Sequence, residues 1–208
     1  MTNTLSALDL AALLCSRLCH DLVSPVGAIN NGLEVLAEEK SEEMRESAQD
    51  LVSKSARQAS AKLQFARIAF GAAGSAGAEI DLGDAEAVAQ GYFEAEKADL
   101  DWRLPRLYLA KNKVKLLLNL LVVALTAVPR GGRISIEFAD QENSAGFVIR
   151  AEGPMARVPP AAQVIAAGNS AEADAHTIQP AYTGLLAEAA GLAVSFTEDG
   201  EAVVIRAA

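Results

Sequence analysis

Apolar residues recur at spacings of three and four along the first forty positions: Leu14, Leu18, Leu22, Pro25, Ile29, Leu33 and Leu36. At about 100° per residue they form one continuous stripe, which predicts an amphipathic helix from Ser6 to Glu39. Pro25 lies inside it, removes a backbone donor and predicts a kink. After a short break at Lys40-Ser41, Ser41 is placed to cap a second helix whose first turn carries Glu42 and Glu43, favourable at the positive end of its dipole. The second stripe is Met44, Ala48, Leu51, Ser55, Ala59, Leu63, Ala66 and Phe70, rich in small residues and ended by Gly71. Two long helices joined this closely form an antiparallel hairpin. A lone hairpin cannot cover both stripes, so pairing with a second copy into a four-helix bundle is expected.

The uncharged, glycine-rich stretch Gly71 to Ala78 reads as a linker, separating a hairpin of residues 1–73 from a second domain of residues 79–208. In the second domain Asp84 to Ala98 reads as helix, Leu100, Trp102 and Leu104 alternate as a strand, and Ala110 to Val128 is a strongly apolar helix stopped by Pro129. Arg133 to Ala139 and Gly146 to Ala151 read as a hairpin. Pro180 to Ala190 reads as a helix that starts at a proline. A last hairpin joins Leu192 to Thr197 with Ala202 to Ile205 through Glu198-Asp199-Gly200. Helices mixed with mainly antiparallel strands predict a two-layer α/β sandwich, so the fold class is α+β: a helical hairpin followed by a sandwich.

Composition narrows the function. Of 208 residues, 51% are hydrophobic and only 5% aromatic, enough aliphatic material for real cores. The net charge is -9, with seven cations against nine acids up to Phe70 and eleven against eighteen beyond it. Acidity in both halves argues against nucleic acid and anionic membrane as partners. The longest apolar run, in Leu116 to Val128, falls short of the ~20 residues a spanning helix needs. No basic segment followed by an apolar one opens the sequence, and the expected compartment is the cytoplasm.

Chemistry concentrates at Cys19-His20-Asp21-Leu22-Val23-Ser24-Pro25. His20 falls roughly 180° from the middle of the first stripe, on an outward face with Ser16, Arg17, Ser24, Gly27 and Asn31, small or polar neighbours that let a large partner approach. Neutral imidazole is nucleophilic near pH 7, so a solvent-facing histidine needs little activation to attack an acyl phosphate. Asp21 is placed to hold the Nδ1 proton so that Nε2 attacks. Arg17, one turn earlier, is placed either to balance phosphate charge or to pair with Asp21 at i, i+4. Cys15 and Cys19 are four apart on one helix. With His20 they suggest a metal or haem site, but the spacing is one residue too long and no further ligands lie nearby, so they read as small, partly buried hydrophobes. Lys111, Lys113 and Lys115 read as a solvated face or a contact for an acidic partner, and His176 as a residue of a polar loop.

H-D-x-x-x-P on the first helix of a hairpin resembles the phosphoacceptor box of two-component sensor histidine kinases, whose dimerisation domain precedes an ATP-binding domain of the two-layer type. The second domain departs from that pattern wherever nucleotide would be held. In Leu118 to Ala124, Val123 stands where the kinases carry the asparagine that holds magnesium. The Asp-x-Gly-x-Gly box survives only as Ala151-Glu152-Gly153-Pro154-Met155, and Thr177-Ile178-Gln179-Pro180 stands in place of a glycine-rich phosphate loop. A kinase-shaped chain that keeps its histidine and loses its nucleotide site resembles the ChpT-like histidine phosphotransferases of alphaproteobacteria, and Leu14 to Leu36, Leu63 to Ala76 and Ile178 to Ala190 carry the likeness. The resemblance implies a phosphorelay protein that takes a phosphoryl group from the receiver-domain aspartate of a hybrid histidine kinase and passes it to response regulators through His20. It implies a phosphotransferase that is not an ATP-dependent kinase, with no cofactor or metal of its own and magnesium on the partner receiver. It also places Ser24 where bifunctional kinases carry the Thr or Asn that positions water for dephosphorylation. Ser16, Gly27 and Asn31 are expected to meet the partner. The competing readings are a receiver-docking adaptor without chemistry and a residual histidine kinase or phosphatase.

Overall fold

The structure, a computed structural model, describes residues 5–71, 78–167, 174 and 177–208. Most of the expected linker, and His176, lie outside the described residues.

Two long helices open the chain. Helix α1 spans Ala7–Glu38, capped by the Ser6 hydroxyl, which accepts from the Asp9 amide at 3.1 Å. It stays α-helical through Pro25, whose ring is buried against helix α2, Glu42–Ala69. Small residues let the two helices approach. A Cβ on Gly32 would stand 2.6 Å from a Val52 methyl and 3.2 Å from the Ala48 carbonyl, and Ala48 and Ser55 are themselves buried. Ser41 precedes α2 but makes no side-chain cap. The turn is instead held by Glu39, whose carboxylate accepts from the Lys40 and Ser41 amides at 2.7 and 2.9 Å, and by Arg45, which donates to the Leu36 carbonyl at 2.5 Å. A last-turn carbonyl of α1 thus finds the donor that helix geometry denies it.

The second domain runs β1 (Glu79–Asp81), α3 (Leu82–Phe93), β2 (Ala98–Trp102), β3 (Tyr108–Ala110), α4 (Lys111–Ala127), β4 (Gly132–Glu137), β5 (Phe147–Glu152), α5 (Ala161–Ala167), α6 (Ile178–Ala190), β6 (Val194–Asp199) and β7 (Ala202–Ala207). The main sheet has the order β2-β4-β5-β7-β6; β2 and β4 are parallel, joined across α4, and the other pairs are antiparallel. Ile134, Ile136, Ile149, Val203 and Ile205 turn to the helices and are buried, while Arg133, Glu137 and Arg206 face outward, which makes the two layers. Strand β2 ends at Trp102, so Leu104, expected to continue it, lies buried beyond it, and three further features depart from expectation. Helix α3 ends at Phe93, so Ala98 starts a strand; α6 begins two residues before Pro180; and the short β1–β3 ribbon and α5 carry too few residues to show a period.

Most of helix α4 is apolar because it is covered by the sheet, by α6 and by the end of α2, with Thr126 left exposed. Lys115, expected in a solvated face, is buried within it, and desolvation with the nearby Lys111 charge lowers its ammonium pKa. Phe65, Ile68 and Ala69 of α2 belong to the same core as Leu82, Phe93 and Leu116, and the Phe65 and Tyr92 rings meet at 4.4 Å. The lower end of the hairpin is therefore built into the second domain.

The free half of the hairpin is different. Val23, Val26, Leu33, Met44 and Leu51 are large, apolar and exposed, as are Leu8 and Leu63 nearer the second domain. Leu33, expected to face inward, is 51% exposed, and Cys15 and Cys19 are also exposed thiols rather than partly buried ones. By length and composition alone α1, not the Leu116 to Val128 run, is long and apolar enough to cross a membrane. Arg17, His20 and Asp21 near its middle would be costly there. Its apolar surface is the kind that covers another helix.

Candidate functional site

Helix phase determines what α1 displays. Pro25 and Gly32 turn into α2, and Leu18, Leu22 and Ile29 are half-buried, so His20 is carried away from the contact and its side chain is 75% exposed. Ser16, Ser24 and Asn31 are exposed beside it along the same side. Gly27 is half-buried, and a Cβ there would meet nothing within 4 Å.

Arg17, Asp21 and His20 form a chain rather than a fan. Arg17 Nε donates to Asp21 Oδ1 at 3.1 Å and Oδ2 at 3.0 Å, and Asp21 Oδ1 stands 3.8 Å from His20 Nδ1. Of the two roles open to Arg17, the pair with Asp21 is the one this geometry contains, and both side chains are about one quarter exposed. From α2, Lys62 Nζ donates to the Asp21 carbonyl at 3.4 Å. Tyr92 of α3 is close enough to feel the pair. Its hydroxyl pKa is pushed up, first by burial, then by the Glu96 and Asp21 charges, with Arg17 opposing. Lys62 could have been found from the turn, since an antiparallel hairpin folded at residue 40 sets residue 21 opposite about residue 60. Tyr92 carried no local signal.

Where the kinase pattern would hold nucleotide, the residues are otherwise employed. Val123 is buried in α4. Glu152 is exposed, 3.6 Å from Arg150 in an ion pair, and Gly153 is pressed so close to the Gly131 carbonyl that a Cβ would stand 2.3 Å from it. Gln179 donates to the Asn119 carbonyl and to Asn119 Oδ1, each at 3.0 Å, while Asn119 Nδ2 donates to the carbonyls of Lys115 at 2.9 Å and Ala69 at 3.2 Å. This buried network ties α2, α4 and α6 together. Between it and α1 lies a cavity of about 240 Å³ walled by Val122, Val123, Thr126, Pro160 and Pro180, with Arg17 on its α1 side. Among the described residues, no group of three or more His, Cys, Asp or Glu comes together as metal ligands would.

Residues 82–202 match the family described as histidine phosphotransferase C-terminal domain. The chain is 53% identical over 206 residues to the protein phosphotransferase ChpT of Brucella abortus (strain 2308), covering 98% of this chain and 97% of that one. It also superposes on a solved structure described as a bacterial phosphotransferase with a TM-score of 0.90 and 50% identity, covering the whole of both chains. The chain belongs to the ChpT-like histidine phosphotransferases. It is a phosphorelay-type phosphotransferase and not an ATP-dependent kinase.

Proposed function

We propose that His20 is the phosphoacceptor, and that it takes a phosphoryl group from the receiver-domain aspartyl phosphate of a hybrid histidine kinase and delivers it to response-regulator aspartates. The observation that carries this reading is the exposed imidazole of His20 beside Asp21, on a helix face whose neighbours are small or polar. The lone pair of Nε2 attacks phosphorus, the bond from phosphorus to the aspartyl oxygen breaks, and its electrons leave on the partner's carboxylate. The proton stays on Nδ1, where Asp21 balances the charge that develops on the ring. Delivery to the next aspartate is the same displacement in reverse.

Nothing in this scheme needs a cofactor on this chain, and the magnesium that steadies the acyl phosphate belongs to the receiver. The exposed apolar residues of the hairpin support a homodimer in a four-helix bundle, which would cover them. Ser16, Gly27 and Asn31 lie where a receiver seated over His20 would rest. The second domain adds docking area that one helix face lacks. A cytoplasmic location suits the net charge of -9 and partners of this kind.

The test is incubation with a phosphorylated receiver domain, followed by assay of this chain for phosphate that is acid-labile and base-stable. Labelling of the natural protein and none of His20→Ala is expected. A His20→Ala variant that still accepts phosphate would overturn the assignment. A chain that binds the receiver without ever being labelled would make it an adaptor.

A further inference from the structure

Arg17 has two sets of neighbours. Toward the histidine, its Nε spans both oxygens of Asp21, and that carboxylate presents Oδ1 to His20 Nδ1 at 3.8 Å. Toward the second domain, it closes one side of the cavity walled by Val122, Val123, Thr126, Pro160 and Pro180. An i, i+4 ion pair forms on a helix without any neighbouring domain, so helix stability is a weak reason for this one to occupy the junction. Geometry is a better one. A carboxylate next to an imidazole is free to swing about its side-chain torsions unless something fixes it, and here one N–H of Arg17, shared between both oxygens, restrains it. The side chain of Arg17 in turn faces the second domain across that cavity.

We propose that Arg17 is a positioning residue through which the second domain orients the phosphoacceptor: packed at the junction, it holds the Asp21 carboxylate so that one oxygen faces His20 Nδ1 and Nε2 is left to attack. The proposal rests on the reading of His20 as the acceptor. It gives the second domain a part in the chemistry besides docking, because a displacement of α4, α5 or α6 against α1 reaches the imidazole through Arg17 and Asp21. Asp21 is also held from below, where Lys62 reaches its carbonyl, so the backbone is steadied while Arg17 steadies the side chain.

The experiment has two readouts on the full-length protein. The first is the nitrogen-15 spectrum of the His20 ring, which reports which ring nitrogen carries the proton and requires no phosphotransfer. The second is single-turnover transfer from a phosphorylated receiver over a range of receiver concentrations. Arg17→Gln is expected to lower the population protonated at Nδ1 and to slow maximal transfer by about tenfold, with half-saturation changed less than about twofold. Arg17→Lys, which keeps the charge without the planar guanidinium, should fall between the two. Ala161, the first residue of α5, also lines the cavity, and Ala161→Phe, which crowds it from the second-domain side, should move both readouts in the same direction as Arg17→Gln. Unchanged ring nitrogens in Arg17→Gln, or a change confined to half-saturation, would overturn the positioning role and make Arg17 a contact for the receiver. If instead His20→Ala still accepts phosphate, the underlying reading fails, and the ring spectrum still reports separately on Arg17.

Discussion

Asn119, in the middle of α4, donates from its side-chain amide to the carbonyl of Ala69, the last residue of α2, across 3.2 Å. The bond joins the phosphotransfer hairpin to the second domain inside the protein, where Asn119 is fully buried. The same amide reaches Lys115, and its oxygen accepts from Gln179, so one side chain satisfies groups on three helices. A valine or leucine there would take the amide donor from the Ala69 carbonyl and leave Gln179 only the Asn119 backbone carbonyl and the Thr183 hydroxyl.

Asn119→Ala is therefore expected to destabilise the fold by about 2 kcal/mol, the cost of stranding buried polar groups. Denaturant unfolding checks it through a lower midpoint. Since His20 lies on the surface of α1, the folded variant should still accept phosphate, and a loss of less than about 0.5 kcal/mol would mean that water replaces the amide.

The exposed hairpin leucines give the second prediction. Leu33 is 51% and Leu51 44% exposed in one chain, too much apolar surface to leave bare alongside Leu8, Val26 and Met44. Light scattering should report a dimer for the natural protein at micromolar concentration and a monomer for Leu33→Glu or Leu51→Glu, with helical circular dichroism retained. A monomeric natural protein would count against the four-helix bundle.

Nucleotide is expected to leave the protein unaffected. Val123 is buried where the kinases carry their metal asparagine, Glu152 is paired to Arg150, and Gln179 is committed to Asn119. Calorimetry with magnesium and ATP should give no measurable heat of binding, and micromolar affinity would restore the kinase reading.

Acid should loosen the start of the second domain. Asp81 caps α3 by accepting from the Gly83 amide at 2.8 Å and is paired with Arg106 at 2.7 Å. The Arg106 guanidinium first, then the Gly83 amide, hold its carboxyl below the usual aspartate value. A group whose pKa is depressed by folding contributes stability above its unfolded value near pH 4, and that contribution is lost as pH falls through the lower, folded value. Asp81→Asn should melt a few degrees lower than the natural protein at about pH 7 and lose less between about pH 5 and pH 3. Parallel pH dependences for the two proteins would show that another carboxylate controls acid unfolding.

Local pattern and long-range contact divided the information cleanly. The stripe from Leu14 to Leu36 determined α1 and put His20 on its outward side, because the direction of a side chain around a helix depends only on its position in the turn. The same kind of signal set α4 between Ala110 and Val128 and both β-hairpins, and the histidine with its neighbouring acid was legible for the same reason. Segments of three residues, such as β1 and β3, are shorter than any period and left no mark. The charged residues around His20 were named by the sequence but not arranged by it. Whether Arg17 faced phosphate or Asp21 depended on its rotamer, which its place in the helix leaves open. Lys115 read as solvated because alternating lysines usually are, yet the end of α2 and the rest of the core cover it. Asn119 interrupts an apolar run, and Ala69, fifty residues away, supplies the carbonyl it answers. Periodicity reports which way a residue points within its own element; what it points at is decided by elements far along the chain, and that meeting exists only in the folded molecule.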